Sequence, residues 1–313
     1  MYHAPPPRTV KTEETRPAPA DRVTVVDIGA RGGLHPRWIN CSIHVQGVGF
    51  DADEGECARL NARGDGVRYL PYALGSADGA KATLRLTDSP GSSSLLQPNR
   101  EVLDQFIYGS KITVRSTVPV TLTTLDTACE RHDIQPDVIK MDIQGAELDV
   151  LKGATRAMEN ALLIESEVEF QPLYVGQPLF RDIDAFMAEK GWVLLGLRRD
   201  FWRRAIAPSP DGGTLAHADV LYVNPARLES ITEGNARPSL AALGAYRQVD
   251  YAHVLAHRIG RPEWIDGLVR RASLTQRLVG SVLSKLGPHR AWRAWLDGCR
   301  RGNATDWHDP DFF

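Results

Sequence analysis

Cysteine is scarce in this chain, and its placement argues against two common kinds of stabilised fold. The 313 residues contain four cysteines, which stand far apart with no Cys-x-x-Cys pair and no Cys/His spacing typical of zinc ligands. Neither a disulfide framework nor a zinc site is therefore indicated. Reduced thiols in a cytosol are expected instead.

Long hydrophobic runs and an excess of charge are also missing. No window reaches the roughly 18 apolar residues of a spanning helix, and the N-terminus lacks the apolar region of a signal peptide. Lys and Arg total 37 against 39 Asp and Glu, so no global field attracts nucleic acid or a membrane. These features predict a cytoplasmic protein with no nucleic-acid partner.

Composition divides the chain into three parts. Residues 1–20 carry five prolines among charges and predict a disordered leader, whereas residues 21–228 alternate strand and helix patterns. Residues 229–313 predict a basic helical extension, because Arg237 to Arg301 holds 11 Arg and one Lys against four acids. A helical cap with a solvated basic face is the favoured interpretation. Peripheral contact with anionic lipid is the alternative.

The most informative stretch is an apolar strand that ends in glycines. Residues 23–28 are β-branched and nearly uncharged, as in a strand buried on both faces of a parallel sheet. The strand ends at Asp27 and Gly29, followed by Gly32 and Gly33, a pattern that lets backbone approach a ligand closely. Arg31 stands where a dinucleotide fingerprint needs its second glycine, which counts against NAD.

A second strand, over residues 43–50, ends in an acidic residue at the spacing expected for a ribose ligand. Asp51 lies 22 residues after Gly29, near the interval at which such proteins hold ribose hydroxyls. Solvated loop charge is the alternative for Asp51 and Asp53, and the ribose interpretation is favoured.

The remaining pattern predicts a doubly wound α/β sheet of parallel strands. Asp126 is predicted to cap a helix over 128–132, and the polar stretch 88–97 to form a mobile cover outside the core. Further strands are predicted at 67–74, 81–86, 111–123, 137–143, 161–164, 192–197 and 218–223, and further helices at 34–40, 54–62, 146–158 and 179–189.

Several carboxylates fall at one predicted edge of this sheet. Asp27, Asp51 and Asp142 each end a predicted strand, beside the glycine turn. Carboxylates offset a positive charge and repel a pyrophosphate, so a cationic nucleoside cofactor suits this edge best.

The same residues resemble the FkbM family of S-adenosylmethionine-dependent methyltransferases over about residues 20–225. Asp27-Ile-Gly29-Ala-Arg-Gly-Gly33 is similar to the family's Asp-x-Gly-Ala-Asn-x-Gly, and Phe50-Asp51-Ala-Asp53 stands where the family has Phe-Glu-Pro. Thr124-Leu-Asp126 matches a short family motif. Lys140-Met-Asp142-Ile-Gln144-Gly145-Ala-Glu147, followed by Val-Leu-Lys-Gly153, resembles Lys-x-Asp-Val-Glu-Gly-x-Glu-x-x-Val-Leu-x-Gly, with Gln144 in place of Glu.

The resemblance implies a Rossmann-like class I methyltransferase sheet that binds S-adenosylmethionine and methylates a hydroxyl of a sugar, glycan or natural product. The implied cofactor contacts are Asp27, Gly29, Ala30, Arg31, Gly33, Asp51, Ala73 and Asp142.

Methylation of an alcohol also needs a base, since a hydroxyl is a poor nucleophile until its proton is removed. The candidates are Asp142, Glu147, Glu165, Glu167 and His217. Glu165 and Glu167 alternate on one strand and are predicted to face one pocket. A divalent metal held by carboxylates is possible, although Asp142, Glu165 and Asp219 show no fixed ligand spacing.

Two other functions compete with methyl transfer. One is a different nucleotide-dependent α/β enzyme, such as a dehydrogenase, and the other is a catalytically inactive nucleoside-binding module on the same fold.

Overall fold

The structure, a computed structural model, describes residues 21–38, 41–206 and 213–265. The predicted leader, residues 1–20, lies outside these residues, as does most of the predicted basic extension. Within the described part of the chain, no helix is long and apolar enough to cross a membrane.

The fold consists of ten strands and nine α-helices within the described ranges, with short 3-10 turns between them. The strands are β1 (Arg22–Ile28), β2 (His44–Phe50), β3 (Arg68–Leu70), β4 (Ala73–Leu74), β5 (Lys81–Thr87), β6 (Val114–Thr123), β7 (Val138–Met141), β8 (Leu163–Glu169), β9 (Val193–Trp202) and β10 (Thr214–Val223). The helices are α1 (Glu54–Asn61), α2 (Arg100–Leu103), α3 (Leu125–His132), α4 (Glu147–Lys152), α5 (Thr155–Asn160), α6 (Phe180–Glu189), α7 (Pro225–Glu229), α8 (Ala236–Ala245) and α9 (Val249–Arg258).

Seven strands form the main sheet, in the order β3-β2-β1-β7-β8-β10-β9. The chain leaves β1 in one direction to form β2 and β3 and later returns to the other side of β1 as β7, so the gap between β1 and β7 is a topological switch point. This arrangement confirms the predicted doubly wound α/β fold. It also makes the carboxyl ends of β1, β2 and β7 the expected edge for a ligand.

One strand of the main sheet runs against the others. β10 is antiparallel to both β8 and β9, whereas the prediction had every strand parallel. No helix intervenes between β9 and β10 in the described chain, and strands without a crossover helix pair antiparallel. His217 consequently lies inside β10 rather than before it.

Two predicted elements are each divided in the structure. The predicted strand 67–74 breaks at Pro71, and its second half, β4, joins β5 and β6 in a separate three-stranded sheet. The predicted helix 146–158 breaks at Gly153, where a side chain would place its Cβ 2.3 Å from the carbonyl oxygen of Gly75. This close contact between backbones explains why the residue at the break is glycine.

Three local predictions also need correction. Thr124, not Asp126, caps α3, and Asp126 instead accepts hydrogen bonds from the first amides of α5 at 3.0 and 2.9 Å. The predicted helix 34–40 is reduced to a 3-10 turn at Pro36–Trp38, with residues 39 and 40 outside the described ranges. The segment 88–97 is not wholly outside the core, because Ser92 and Ser94 are buried.

Helices cover both faces of the main sheet. Side chains of α3 to α6 pack on one face, around Ile139, Met141 and Ile164. The opposite face, around Val25 and Leu163, is covered by α8 and α9. The first two helices after residue 229 therefore contribute to the hydrophobic core of the sheet.

Candidate functional site

A cavity of about 210 Å³ opens at the carboxyl ends of β1, β2 and β7. Its walls include five of the eight residues implied as cofactor contacts, namely Gly29, Arg31, Asp51, Ala73 and Asp142. The side away from the sheet is formed by β5 and by Pro90 to Leu95. The predicted cover segment thus lies against this cavity.

The floor of the cavity depends on a backbone contact that only glycine permits. Gly29 has φ +79° and donates its N–H to the carbonyl of Phe50 at 2.8 Å. A Cβ at this position would lie 2.0 Å from the carbonyl oxygen of Asp142. Gly29 therefore lets the ends of β1 and β7 meet closely enough to form one surface.

The other three implied contacts support this turn and are not part of the cavity wall. Ala30 is buried and donates its N–H to Phe50 at 3.1 Å, and Gly33 has φ +108° where it passes Tyr69. Asp27 is buried beneath the turn, 3.4 Å from the Lys140 ammonium. Burial raises the pKa of Asp27, although Lys140 acts in the opposite direction.

Asp51 is held at the cavity wall by its own strand end. Its Oδ1 accepts a hydrogen bond from the N–H of Asp53 at 2.8 Å, and burial raises its pKa. Arg31 pairs with Asp53 at 2.7 Å on the same side of the cavity. A carboxylate at the end of β2 is thus placed to accept hydrogen bonds from a ligand, with a guanidinium beside it.

Lys140 links the buried and the accessible carboxylates of the site. Its Nζ lies 3.4 Å from Asp27 and 3.9 Å from Asp142, and it lines the cavity. Burial opposes its charge, but Asp27 and Asp142 outweigh that effect and raise its pKa. The sequence marked this residue only as part of a motif. Its position facing two acids follows from the pairing of β1 with β7.

Beyond Asp142 the chain makes a turn in which an amide joins two acids. Gln144 has φ +61°, an uncommon conformation for a residue with a side chain. Its Nε2 donates to Asp142 at 2.8 Å and to Glu167, and its Oε1 accepts from the Tyr174 hydroxyl at 2.9 Å. The amide therefore fixes Asp142 and Glu167 relative to each other.

Glu147 is fully engaged in shaping the same turn. Its two carboxylate oxygens accept from the N–H groups of Ile143 and Gly145, both at 2.8 Å. Burial raises its pKa to about 7. With both oxygens directed to backbone at the start of α4, Glu147 is a positioning residue and not the base that was predicted as one option.

Glu165 and Glu167 lie on the same face of β8 but do not share a pocket, so that prediction was wrong. Glu165 lies under α8, where it accepts from the Tyr246 hydroxyl at 2.7 Å and pairs with Arg37 at 3.3 Å. The Arg37 guanidinium also lies 4.4 Å from the Tyr246 ring centroid. Glu165 is thus a buried structural ion-pair partner.

Glu167 instead lies beside His217 on the neighbouring strand. Its Oε1 is 3.0 Å from His217 Nδ1, an ion-pair contact that is not well directed for a hydrogen bond. Burial and the nearby Asp142 and Glu169 raise the pKa of Glu167 well above its ordinary value. Burial lowers the pKa of His217, although Asp200 and Asp142 act in the opposite direction.

Asp142 completes a connected row of three titratable groups. Burial opposes its ionisation, yet Lys140 and hydrogen bonds with Gln144 and Glu167 outweigh burial, and its pKa is lowered. The row therefore combines an acid whose pKa is lowered, Asp142, with an acid whose pKa is raised, Glu167, and a histidine whose pKa is lowered, His217. Such a row leads from the cavity toward the edge strands of the sheet.

Sequence reasoning missed Glu169 and Trp202 as site residues. Glu169 continues the alternation of Glu165 and Glu167 and is buried, with its pKa raised well above normal by burial. Trp202 contacts His217 across the sheet with ring centroids 5.8 Å apart. The alternation in β8 was visible in the sequence, but the meeting of Trp202 with His217 depends on strand register.

No group of three or more His, Cys, Asp or Glu side chains is arranged to hold a metal ion within the ranges that the structure describes. A metal held by the carboxylates of Asp142, Glu165 and Asp219 was one option in the sequence analysis. In the structure, two of these residues pair with arginines instead. Glu165 pairs with Arg37, and Asp219 pairs with Arg198.

The family profile described as Methyltransferase FkbM domain matches residues 27–194, which is more than half of the chain. This chain belongs to the FkbM methyltransferase family. The matched range begins at Asp27 and contains two members of the row, Asp142 and Glu167, while the third, His217, lies beyond it. No curated protein sequence matches this member of the family.

The solved structures that match this FkbM protein are distant from it in sequence. Magnesium protoporphyrin IX methyltransferase from Synechocystis PCC 6803, with bound SAM, is 13% identical, with 66% of this chain and 71% of that chain covered and a TM-score of 0.32. A putative RNA methyltransferase from Pyrococcus horikoshii is 11% identical, with 64% and 74% covered and a TM-score of 0.32. A SAM-dependent methyltransferase from Anabaena variabilis ATCC 29413 is 7% identical, with 64% and 77% covered and a TM-score of 0.33.

Proposed function

We propose that this protein binds S-adenosylmethionine in the cavity beside Gly29 and transfers its methyl group to a hydroxyl oxygen of a sugar, glycan or other natural product. The observation that carries the proposal is the cavity at the switch point, with Asp51 at the end of β2 and Asp142 at the end of β7. Family membership supports the methyl transfer.

The residues around the cavity suit a cationic nucleoside. Asp51 is placed to accept hydrogen bonds from ribose hydroxyls, and Phe50, Tyr72 and Leu86 offer apolar surface for an adenine ring. Three carboxylates line the cavity, those of Asp51, Asp53 and Asp142, against the two cations Arg31 and Lys140, which leaves an excess of negative charge to offset a sulfonium. When bound, S-adenosylmethionine provides an already activated methyl group.

The protein's own task is then to place the acceptor oxygen and remove its proton. Of the row Asp142, Glu167 and His217, only His217 combines an available proton-accepting nitrogen with moderate basicity at neutral pH. The raised pKa of Glu167 favours its protonated form, and Asp142 is a weaker base because its pKa is lowered. We therefore assign proton removal to His217, whose ring lies against Glu167 and Trp202.

The reaction balances without any further reagent. The oxygen–carbon bond forms as the sulfur–carbon bond breaks, and the hydroxyl proton passes to His217. The products are the methyl ether and S-adenosylhomocysteine. Alignment of oxygen, methyl carbon and sulfur also lowers the barrier.

Calorimetric titration with S-adenosylmethionine, S-adenosylhomocysteine and NAD tests the cofactor assignment. Micromolar binding of the first two and none of NAD is expected. Tight binding of NAD alone would favour the dehydrogenase alternative.

Incubation with methyl-labelled S-adenosylmethionine and a mixture of glycosides, followed by mass spectrometry, tests methyl transfer. Binding without transfer to any hydroxyl compound would favour the inactive nucleoside-binding module.

A further inference from the structure

Three aromatic side chains form a wall beside His217, and the proposed chemistry does not account for them. The ring centroid of Trp202 lies 4.9 Å from Tyr108, 5.7 Å from Phe106 and 5.8 Å from His217. Phe106 is buried, while Tyr108 is 38% exposed and Trp202 is partly exposed. This aromatic wall, Phe106, Tyr108 and Trp202, therefore has both a fixed base and an accessible surface.

The backbone holds the wall in place. The N–H of Ile107 donates to the carbonyl of Arg203 at 3.1 Å, and the N–H of Ala205 donates to the carbonyl of Gln105 at 2.8 Å. These bonds join the segment before Tyr108 to the chain just after Trp202. The Tyr108 hydroxyl also lies 3.4 Å from Ser89 Oγ, which connects the wall to the segment over the cofactor cavity.

Polar groups suited to hydroxyls surround the same place. The Asp200 carboxylate, on the same face of β9 as Trp202, is 53% exposed and lies 3.9 Å from His217 Nε2. Glu169 pairs with His217 in the register of β8 and β10, and a side-chain hydrogen bond with the buried Gln177 acts to lower its pKa. Carboxyl and amide groups such as these can hydrogen-bond to sugar hydroxyls.

We propose that Trp202, flanked by Tyr108, is the platform on which the ring of a neutral sugar acceptor packs while one of its hydroxyls reaches His217. The inference rests on the proposed function, because it places the acceptor next to the assigned base. A pyranose ring has an apolar C–H face that packs on an aromatic ring and a rim of hydroxyls that bond to carboxylates and amides. The wall and its polar rim match both properties.

The charge around the wall argues for a neutral ring over other acceptors. Asp200 and the acid-rich end of β8 lie on the His217 side of the wall, while the Lys111 ammonium is 5.4 Å from the Tyr108 ring centroid and the Arg204 guanidinium is 4.6 Å from that of Phe106. Charges of both signs therefore flank the wall, and neither an anionic nor a cationic acceptor is favoured over a neutral one. A planar phenol would use the aromatic surface but would leave most of the acidic rim without hydrogen-bond partners. A sugar satisfies both.

The test measures binding of four neutral methyl pyranosides (gluco, manno, galacto and rhamno) by saturation-transfer NMR, with S-adenosylhomocysteine present. Wild type is expected to transfer saturation to ring C–H protons of at least one pyranoside. Trp202→Ala should bind it about tenfold more weakly, the effect of losing one aromatic contact. Trp202→Phe should retain part of the affinity. Phe201→Ala is the matched control, because Phe201 is exposed on the opposite face of the strand.

The outcomes separate this inference from the proposed function. Affinity for S-adenosylhomocysteine should be equal in all four proteins, which also shows that each variant is folded. Retained S-adenosylhomocysteine binding without binding of any neutral pyranoside would overturn the inference alone. So would equal pyranoside binding by Trp202→Ala, or tighter binding of methyl glucuronoside, sorbitol or 4-methylcatechol. Loss of S-adenosylhomocysteine binding in wild type would instead overturn the proposed cofactor function.

Discussion

Glu167 and His217 face each other across neighbouring strands, with 3.0 Å between Oε1 and Nδ1. An ordinary ion pair consists of an ionised acid and a protonated histidine, but the surroundings of these two residues disfavour both of those states. The pKa of Glu167 is raised by burial and that of His217 is lowered by burial, so burial favours the neutral form of both groups. A neutral histidine can accept a proton directly, whereas a histidine already protonated in an ion pair would have to lose its proton first. This relationship underlies the assignment of His217 as the base.

Replacing His217 tests that assignment through the pH profile. His217→Gln should lower kcat by about 10²–10⁴ while leaving the affinity for S-adenosylmethionine unchanged. In wild type the rate should fall as pH drops through the folded pKa of His217, which lies below its ordinary value of 6.5. The rate–pH profile of the variant should lack this acidic limb. An unchanged limb in the variant would assign it to another group.

Asp51 is expected to bind ribose hydroxyls, and removing its charge should weaken cofactor binding. Asp51→Asn keeps an oxygen for the N–H of Asp53 but loses a charge-assisted acceptor, which corresponds to about 1.5 kcal/mol or roughly tenfold in Kd. Glu54→Gln removes the same charge at an exposed position nearby and serves as the control. Calorimetry would contradict the assignment if both variants bound S-adenosylmethionine equally well.

The local patterns around β1 and β2 were sufficient to predict this edge of the site. A buried strand, a glycine turn and an acid 22 residues later are all encoded within 30 residues or so, and the structure brings Gly29 and Asp51 to one cavity. Short-range patterns predict such features because the ends of neighbouring parallel strands must meet.

Other features depended on contacts between distant parts of the chain. Alternation correctly placed Glu165 and Glu167 on one face of β8, but the partner that separates them, Tyr246, lies 81 residues after Glu165. The wall beside His217 likewise depends on the antiparallel pairing of β9 with β10. No local pattern in a single sequence specifies which distant element covers a given face.

Gly29 and Gly32 together distinguish a backbone clash from conformational strain. Both have positive φ, +79° and +87°, but a Cβ on Gly32 would meet nothing within 4 Å, whereas on Gly29 it would meet Asp142. Gly32→Ala should therefore lower the free energy of unfolding by only about 1 kcal/mol, which is the cost of a left-handed backbone conformation for a residue with a Cβ. Gly29→Ala should cost about 3 kcal/mol or more and abolish cofactor binding. Urea unfolding of both variants makes the comparison, and equal losses would contradict the close contact.

Glu147 should make stability depend on pH in a defined direction. Its pKa rises from an ordinary 4.5 to about 7 because it is buried, so the folded state binds its proton more tightly than the unfolded state. The resulting stabilisation is fully present below pH 4.5 and is lost as pH rises through about 7. The loss is on the order of 3 kcal/mol, from 1.36 kcal/mol for each unit of pKa.

Comparing wild type with Glu147→Gln isolates this contribution. The variant cannot titrate at position 147, so the unfolding free energy of wild type minus that of the variant should be most positive near pH 4.5 and should fall by about 3 kcal/mol by pH 8. Glu159→Gln, an exposed position in α5, should differ from wild type by the same small amount at every pH. Urea unfolding at five pH values provides the data. A constant difference for Glu147→Gln would mean that Glu147 stays ionised in the folded protein, held by the N–H groups of Ile143 and Gly145.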